Sequence, residues 1–184
     1  YQPMKLAAME GLYNGYEGVE LIGFGVLKPG VENVTNNNDA FYFKIAFPKM
    51  LSWLATGDLN AYVPGMNDLL KGGYQTTEGP ALSAEEKIRR GKSAIKALAD
   101  YRIAVKDNNK EEAAVARAAI DKDFNYFGYG YIEKPEDLIP PIQLTFYSFH
   151  IMVILGAYFI LLFIVVCWLG WKNKLNKYRW MHWV

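Results

Sequence analysis

Four side chains in this sequence stand out for the chemistry that their types and spacing allow. Lys5 and Glu10 lie in the run QPMKLAAME, a stretch of good helix formers closed by Gly11, Gly15 and Gly18. Five residues apart, they are separated by about 140° around a helix axis. Helical ion pairs join residues three or four apart, so these two do not pair with each other. Either a cation and a carboxylate address different parts of a bound molecule, or both are solvated surface charges, which is the commoner outcome for such a pattern. His150 and Met152 lie in FHIMVILG. Imidazole and thioether are the side chains that ligate low-spin heme iron, and a thioether generally raises its potential. Two residues apart, they sit about 200° apart around the axis and cannot both bind one iron from this helix. One can ligate while the other serves a neighbour. Ser148 and Gly156, a turn to either side of Met152, leave room on its face for a flat macrocycle or a close helix. Methionine in an apolar helix is far more often packing filler, and small-residue faces usually pack helices, so the residues alone leave both readings open.

The element that must position His150 and Met152 runs from Ile142 to Trp171. Among these residues His150 is the side chain that titrates near neutrality. About 20 apolar residues in helical form cross a bilayer core of about 30 Å, so the run is long enough to span with some tilt or overhang. A buried helix of a soluble protein is the competing account, and helices apolar on every face over this length are rare there. An ionisable side chain within a membrane segment usually faces the interior of a bundle and has a task. Lys172, Lys174, Lys177 and Arg179 crowd the C-terminal flank, whereas Glu133, Glu136 and Asp137 surround Lys134 on the other side. Basic flanks mark the cytoplasmic side, which places residues 1–140 outside. Trp168, Trp171, Trp180 and Trp183 form an inner aromatic belt.

Composition sets limits on the rest. The 184 residues are 52% hydrophobic with a formal net charge of +1, which gives no electrostatic case for nucleic acid. The average conceals a polar first part of about 140 residues and a very apolar remainder. The single cysteine, Cys167, lies inside the span, so an intrachain disulfide and a cysteine-based zinc site are both excluded. The chain opens without a signal peptide and yet its first part lies outside, so other transmembrane helices are expected before Tyr1. The expected fold is mainly α: a fragment of a polytopic membrane protein, with an external α-rich loop domain over 1–140, a membrane helix over 141–171 and a cytoplasmic basic and aromatic segment over 172–184.

Within the external part, Val19–Val26 and Ala40–Phe47 are β-prone runs on either side of a turn-rich stretch and form a short hairpin or two strands. Gly23-x-Gly25 is too short to be a dinucleotide fingerprint. Asn33-Val34-Thr35 matches a glycosylation acceptor, a triplet common by chance. A short helix is expected over Pro48–Ala55, stopped by Gly57, and a turn or two around Met66–Leu70. Ser83 and Glu86 form a capping box ahead of a helix whose inner face is read as Ile88, Ile95, Leu98, Arg102 and Val105. Asp107-Asn108-Asn109 breaks it, and Lys110–Asp121 continues as an Ala-rich helix. Lys87, Arg89, Arg90 and Lys92 make a basic face, for which solvation is a commoner explanation than lipid headgroups. FNYFGYGYI over Phe124–Ile132 suits a boundary between water and hydrocarbon, and Pro135, Pro140 and Pro141 stiffen the approach to the span.

QPMKLAAME at the start, GYG at 128–130 and FHIMVILG at 149–156, in this order and at about this separation, resemble subunit I of cytochrome bd quinol oxidase. The resemblance covers essentially the whole chain. It implies that residues 1–140 are the family's external quinol loop and that Ile142–Trp171 is the helix after that loop. By the resemblance, Lys5 and Glu10 match the lysine and glutamate implicated in quinol binding and oxidation. Met152 matches an axial ligand of the low-spin heme b, and His150 stands in that cofactor-binding motif where the family usually has arginine. The partner histidine for that iron, and the ligands of a high-spin heme b and of heme d, belong to helices outside these residues. The implied function is that of part of a terminal respiratory oxidase. It oxidises quinol at the external face of the bacterial cytoplasmic membrane and passes electrons through the low-spin heme towards oxygen reduction to water. The partners implied are quinol, the remaining helices of the same subunit, a second oxidase subunit and the lipid bilayer. The bare residues suit this: quinol oxidation wants a carboxylate to take a proton, which is Glu10, and a cation to orient the ring oxygens, which is Lys5. Two other readings stand beside it: the external partner-binding domain of a single-span protein without a redox role, and a transporter fragment with His150 as proton relay. These residues alone are expected neither to hold heme firmly nor to turn over.

Overall fold

The structure, a computed structural model, describes residues 2–30, 34, 36–76 and 79–172. Asn33 and Thr35 of the glycosylation triplet, together with Lys174, Lys177, Arg179, Trp180 and Trp183 of the C-terminal flank, lie outside the described residues. The chain starts with helix α1, Pro3–Glu10, with proline in its first turn where no amide hydrogen is needed. Gly11 ends it at φ 61°, and the Gly11 and Leu12 amides donate to the Ala8 and Ala7 carbonyls. Only glycine suits this position, because a Cβ there would also stand 3.0 Å from Phe41 Cζ.

A two-residue strand β1, Tyr16–Glu17, precedes strand β2, Leu21–Leu27, which pairs antiparallel with β3, Phe41–Phe47, from Leu21 opposite Phe47 to Leu27 opposite Phe41. The hairpin expected from the two β-prone runs is therefore present, its strands starting one or two residues later than the sequence pattern. Between the strands, the Asn-rich turn folds back on the chain before it. Asn37 Oδ1 accepts from the Tyr13 and Asn14 amides at 3.0 and 2.9 Å, and Asn14 Nδ2 donates to the Val34 carbonyl at 2.7 Å.

Helix α2 occupies Met50–Thr56, starting two residues after the proline expected to open it, because Lys49 turns the chain at φ 61°. Its Ser52 is fully buried and ties two segments together: Oγ accepts from the Val19 amide and donates to the Ala61 carbonyl, both at 2.7 Å. Strand β4, Tyr62–Val63, pairs with β1. Helix α3, Met66–Lys71, comes next, and β5, Gln75–Thr76, pairs with β6, Gly79–Pro80.

Helix α4, Ala84–Lys106, is capped by Ser83, whose Oγ accepts from the Glu86 amide at 3.2 Å. The Glu86 carboxylate does not turn back to complete the box; it takes Arg89 and Arg90 instead, at 2.7 and 3.0 Å. The buried stripe of α4 is Ala84, Ile88, Gly91, Ala94, Ala97 and Ala104, so Arg102 and Val105, expected on the inner face, are exposed. Small residues won that face because a second element lies close along it. Asn109 caps α5, Lys110–Asp123, and a 3₁₀ helix over Phe124–Tyr131 packs back onto α4. Gly91 and Gly130 touch backbone to backbone: a Cβ on Gly91 would stand 2.3 Å from the Gly130 nitrogen.

The last element, α6, occupies Ile142–Trp171 with Pro141 immediately before it. Its first turns belong to the folded lobe. Phe146 is fully buried in a core with Ala7, Ala8, Leu27, Phe41 and Met66, its ring 5.8 Å from that of Phe41. From Ile151 onward the side chains are exposed or half-exposed apart from Leu169. Ile151–Trp171 would be about 31 Å long at 1.5 Å per residue, close to a hydrocarbon core of about 30 Å. By length and composition α6 is a membrane-spanning helix. The chain is a mainly α membrane protein in which a mixed lobe grips one end of an apolar rod.

Candidate functional site

Glu10 is the last residue of α1 and is 2% exposed. The backbone of β2 receives it: Glu10 Oε2 accepts from the Ile22 amide at 3.0 Å. The carbonyl of the same residue faces His150 Nε2 at 2.8 Å, while His150 Nδ1 lies 2.9 Å from the Phe146 carbonyl one turn back on α6. In a strand, a residue's N–H and C=O point to the same edge. Ile22 sits beside a bulge in the β2–β3 ladder and turns both groups away from β3, one to the carboxylate and one to the imidazole. The His150 ring stacks on Phe146 with centroids 4.0 Å apart and is 7% exposed.

Burial pushes the Glu10 carboxyl above the usual carboxylate range, against the smaller opposing pulls of the Ile22 amide and of His150. Its second oxygen, Oε1, is buried and has no hydrogen-bond partner among the described residues. A carboxylate in that setting is poorly solvated and takes a proton more readily than an exposed one.

Lys5 is placed quite differently. It is exposed on the other side of α1 and lines a hollow of about 480 Å³ with Lys87 of α4, Tyr129 of the 3₁₀ helix and Thr145 of α6. Lys87 Nζ stands over the Tyr129 ring, 5.9 Å from its centroid. A larger hollow of about 770 Å³ lies at the foot of α6 beside Lys28 and Glu136. None of the four residues singled out by chemistry lines it, so the smaller hollow has the stronger claim to a ligand.

Met152 stands apart from both. It is 61% exposed, on the face of α6 turned away from the lobe. Ser148 before it is exposed too, and a Cβ placed on Gly156 would meet nothing within 4 Å. The structure thus joins Glu10 to His150 through one peptide, gives Lys5 a separate hollow, and leaves the Met152 thioether on an open face. The half-turn between His150 and Met152 expected from their spacing is realised: the imidazole serves the lobe and the thioether faces outward. The sequence pattern does not single out Lys87 or Tyr129. Lys87 is one of four cations on a basic face, and Tyr129 one of several boundary aromatics, although the GYG run marks its position.

The fold and these features define a class: a membrane protein whose water-facing lobe presents a buried carboxylate and a cationic hollow at the entry of an apolar helix bearing a free thioether. The chain belongs to the family described as cytochrome bd terminal oxidase subunit I, whose profile matches residues 1–184. It is 27% identical over 182 residues to the cytochrome bd-II ubiquinol oxidase subunit 1 of Escherichia coli (strain K12), an alignment that covers 98% of this chain and 34% of that protein. The chain thus spans about a third of the length of that relative. No solved structure matches it.

Proposed function

We propose that this chain forms the quinol-oxidising face of a terminal respiratory oxidase, with residues 1–140 on the external side of a bacterial cytoplasmic membrane. The observation that carries the reading is the buried Glu10 at the mouth of the membrane helix, in a chain whose whole length matches the family. Glu10 takes up a proton that quinol releases, relayed to it from the hollow at Lys5 on the other side of α1, since the carboxyl is itself buried and outside that hollow. Burial has already raised its proton affinity towards the range in which a carboxylate works as a general base near neutrality. Lys5 donates to a ring oxygen and holds the substrate at the lobe surface. Family membership sets aside the readings as a partner-binding single-span domain and as a transporter fragment, since neither accounts for a match from end to end.

The residues fit a low-spin b-type heme on α6. Met152 offers a thioether on an exposed face, and the open space over Gly156 one turn further leaves a flat ring room to approach. When bound there, such a group supplies one-electron redox chemistry. Met152 would hold its iron, together with residues from other helices of the subunit. His150 has both ring nitrogens on carbonyl oxygens and fixes the end of α6 to β2, so its part in the cofactor site is to hold the ligating helix in place. The partners in this reading are the remaining helices of the subunit, which also carry the high-spin heme b and heme d, a second oxidase subunit and the bilayer.

Two variants test it in the intact oxidase. Glu10→Ala lowers quinol oxidation while heme content stays near normal; loss of all hemes would instead indicate a structural role. Met152→Leu changes the low-spin heme spectrum selectively, and an unchanged spectrum would refute the ligand assignment.

A further inference from the structure

The hollow beside Lys5 contains more chemistry than the proposed function uses. We propose that Lys87 is a second cationic binding residue for the quinol ring, held in position by Tyr129 and lining the same hollow as Lys5. The assignment rests on the reading of Lys5 as a quinol-orienting group.

Six separate parts of the chain build this hollow: the start of α1, Leu69 of α3, α4, the GYG segment, the approach over Leu138 and Pro140, and the first turn of α6. Its charged lining residues, among those described, are Lys5 and Lys87, while Leu69, Leu138 and Pro140 supply apolar surface. Two ammonium groups without a lining carboxylate select for a ligand rich in oxygen that gains negative charge, and the apolar surface selects for one with a carbon ring or tail. A quinol losing protons meets both requirements. At about 480 Å³ the hollow lies within the usual range for small-molecule sites, about 300–1,000 Å³.

Lys87 is set apart from its basic neighbours. Arg89 and Arg90 are paired with Glu86, whereas Lys87 is half-buried, with no carboxylate within ion-pair distance among the described residues. Burial lowers its proton affinity and so strengthens it as a hydrogen-bond donor. The contact between Gly91 and Gly130 brings the 3₁₀ helix against α4 and places Tyr129 beneath the ammonium. Thr145 is the residue of α6 that lines the hollow, and the exposed apolar part of that helix starts about 9 Å further along, at Ile151. A ring bound between the lysines can therefore leave its tail in lipid.

The test uses the membrane-purified intact oxidase and steady-state oxygen uptake, with alkyl-tailed ubiquinol or menaquinol analogues, whichever the wild type oxidises. Lys87→Met keeps the aliphatic stem and removes the charge. It should raise KM roughly tenfold, the loss of one charge-assisted contact, with kcat and heme spectra much less affected. Lys87→Arg should recover most of the loss, which a packing role for the stem would not explain. Lys87→Gln gives the same readout if the methionine variant does not assemble. An unchanged KM in Lys87→Met overturns the proposal, as does a change only in activation by anionic lipid, which would make the hollow a headgroup site. Lys5→Met separates the two levels: if it raises KM and Lys87→Met does not, Lys87 is excluded and the quinol reading stands. If neither does, both fall.

Discussion

At the scale of single residues, Ile22 connects the site without contributing side-chain chemistry. Its amide holds Glu10 and its carbonyl faces His150, so a carboxylate at the end of one helix and an imidazole near the start of another share one peptide. The Glu10 carboxyl binds its proton more tightly in the folded protein than in the unfolded chain, because burial disfavours the charge. Between the ordinary glutamate range and this raised one, the folded state carries more protons, so its stability falls as pH rises through that window. Melting temperature of the purified oxidase against pH should show the decline, and Glu10→Gln should flatten it. In the role proposed for Glu10 the quinol oxidation rate should run the other way: a base must be ionised, so the rate should rise with pH through the raised Glu10 range, with Glu10→Gln slower by about 10²-fold or more. The imidazole is testable by itself. His150→Phe keeps the stack on Phe146 and deprives the Ile22 carbonyl of its donor, at a cost of about 1–3 kcal/mol, read as a lower denaturant midpoint. An unchanged midpoint would mean that the pairing of α6 with β2 does not depend on this bond.

At the scale of elements, the arm formed by α4, α5 and the 3₁₀ helix depends on a contact that only glycine permits. A Cβ on Gly130 would stand 2.5 Å from the Gly91 carbonyl carbon and from Ile95 Cδ1, and backbone cannot yield as a flexible side chain can. Gly130→Ala should destabilise the arm by about 1–3 kcal/mol, seen as faster hydrogen exchange over 84–131, and should raise KM for quinol by displacing Tyr129 from Lys87. Exchange that speeds up while KM stays fixed would separate the arm from the hollow. This contact also accounts for the inner face of α4. Of the residues that spacing assigns to it, Ile88 is buried there and Ile95 and Leu98 are half-buried, but the facing backbone comes so near that glycine and alanine fill the rest of the stripe, and Arg102 and Val105 face outward.

At the scale of the whole molecule, the membrane helix is part of the lobe's core. Phe146 is the anchor, fully buried against Phe41 and beside Gly11. Phe146→Ala should cost about 3–5 kcal/mol, as for other buried aromatics. The expected sign is loss of quinol oxidation with the lobe released to limited proteolysis while α6 stays in the membrane. A lobe that remained protected would show that other contacts hold it. Coupling of this kind suits the proposed function, in which reducing equivalents leave a water-facing site for one within the membrane and the two parts must keep a fixed separation.

The sequence by itself determined the local features. Helix α6 could be placed from end to end, because an unbroken apolar run needs no tertiary context to be recognised. The stop at Gly11, the two paired strands and the Ser83 cap were legible for the same reason: glycine, β-branched and hydroxyl residues act on the backbone within a few positions. The half-turn between His150 and Met152 came from helix geometry alone. Only the tertiary structure decided which carboxylate is buried, that Ile22 joins it to His150, and that Lys5 shares a hollow with Lys87 and Tyr129, residues 82 and 124 positions further along the chain. The physical reason is that burial and convergence arise between elements distant in sequence. A periodic pattern tells which way a side chain points on its own helix and says nothing of what another part of the chain brings to meet it.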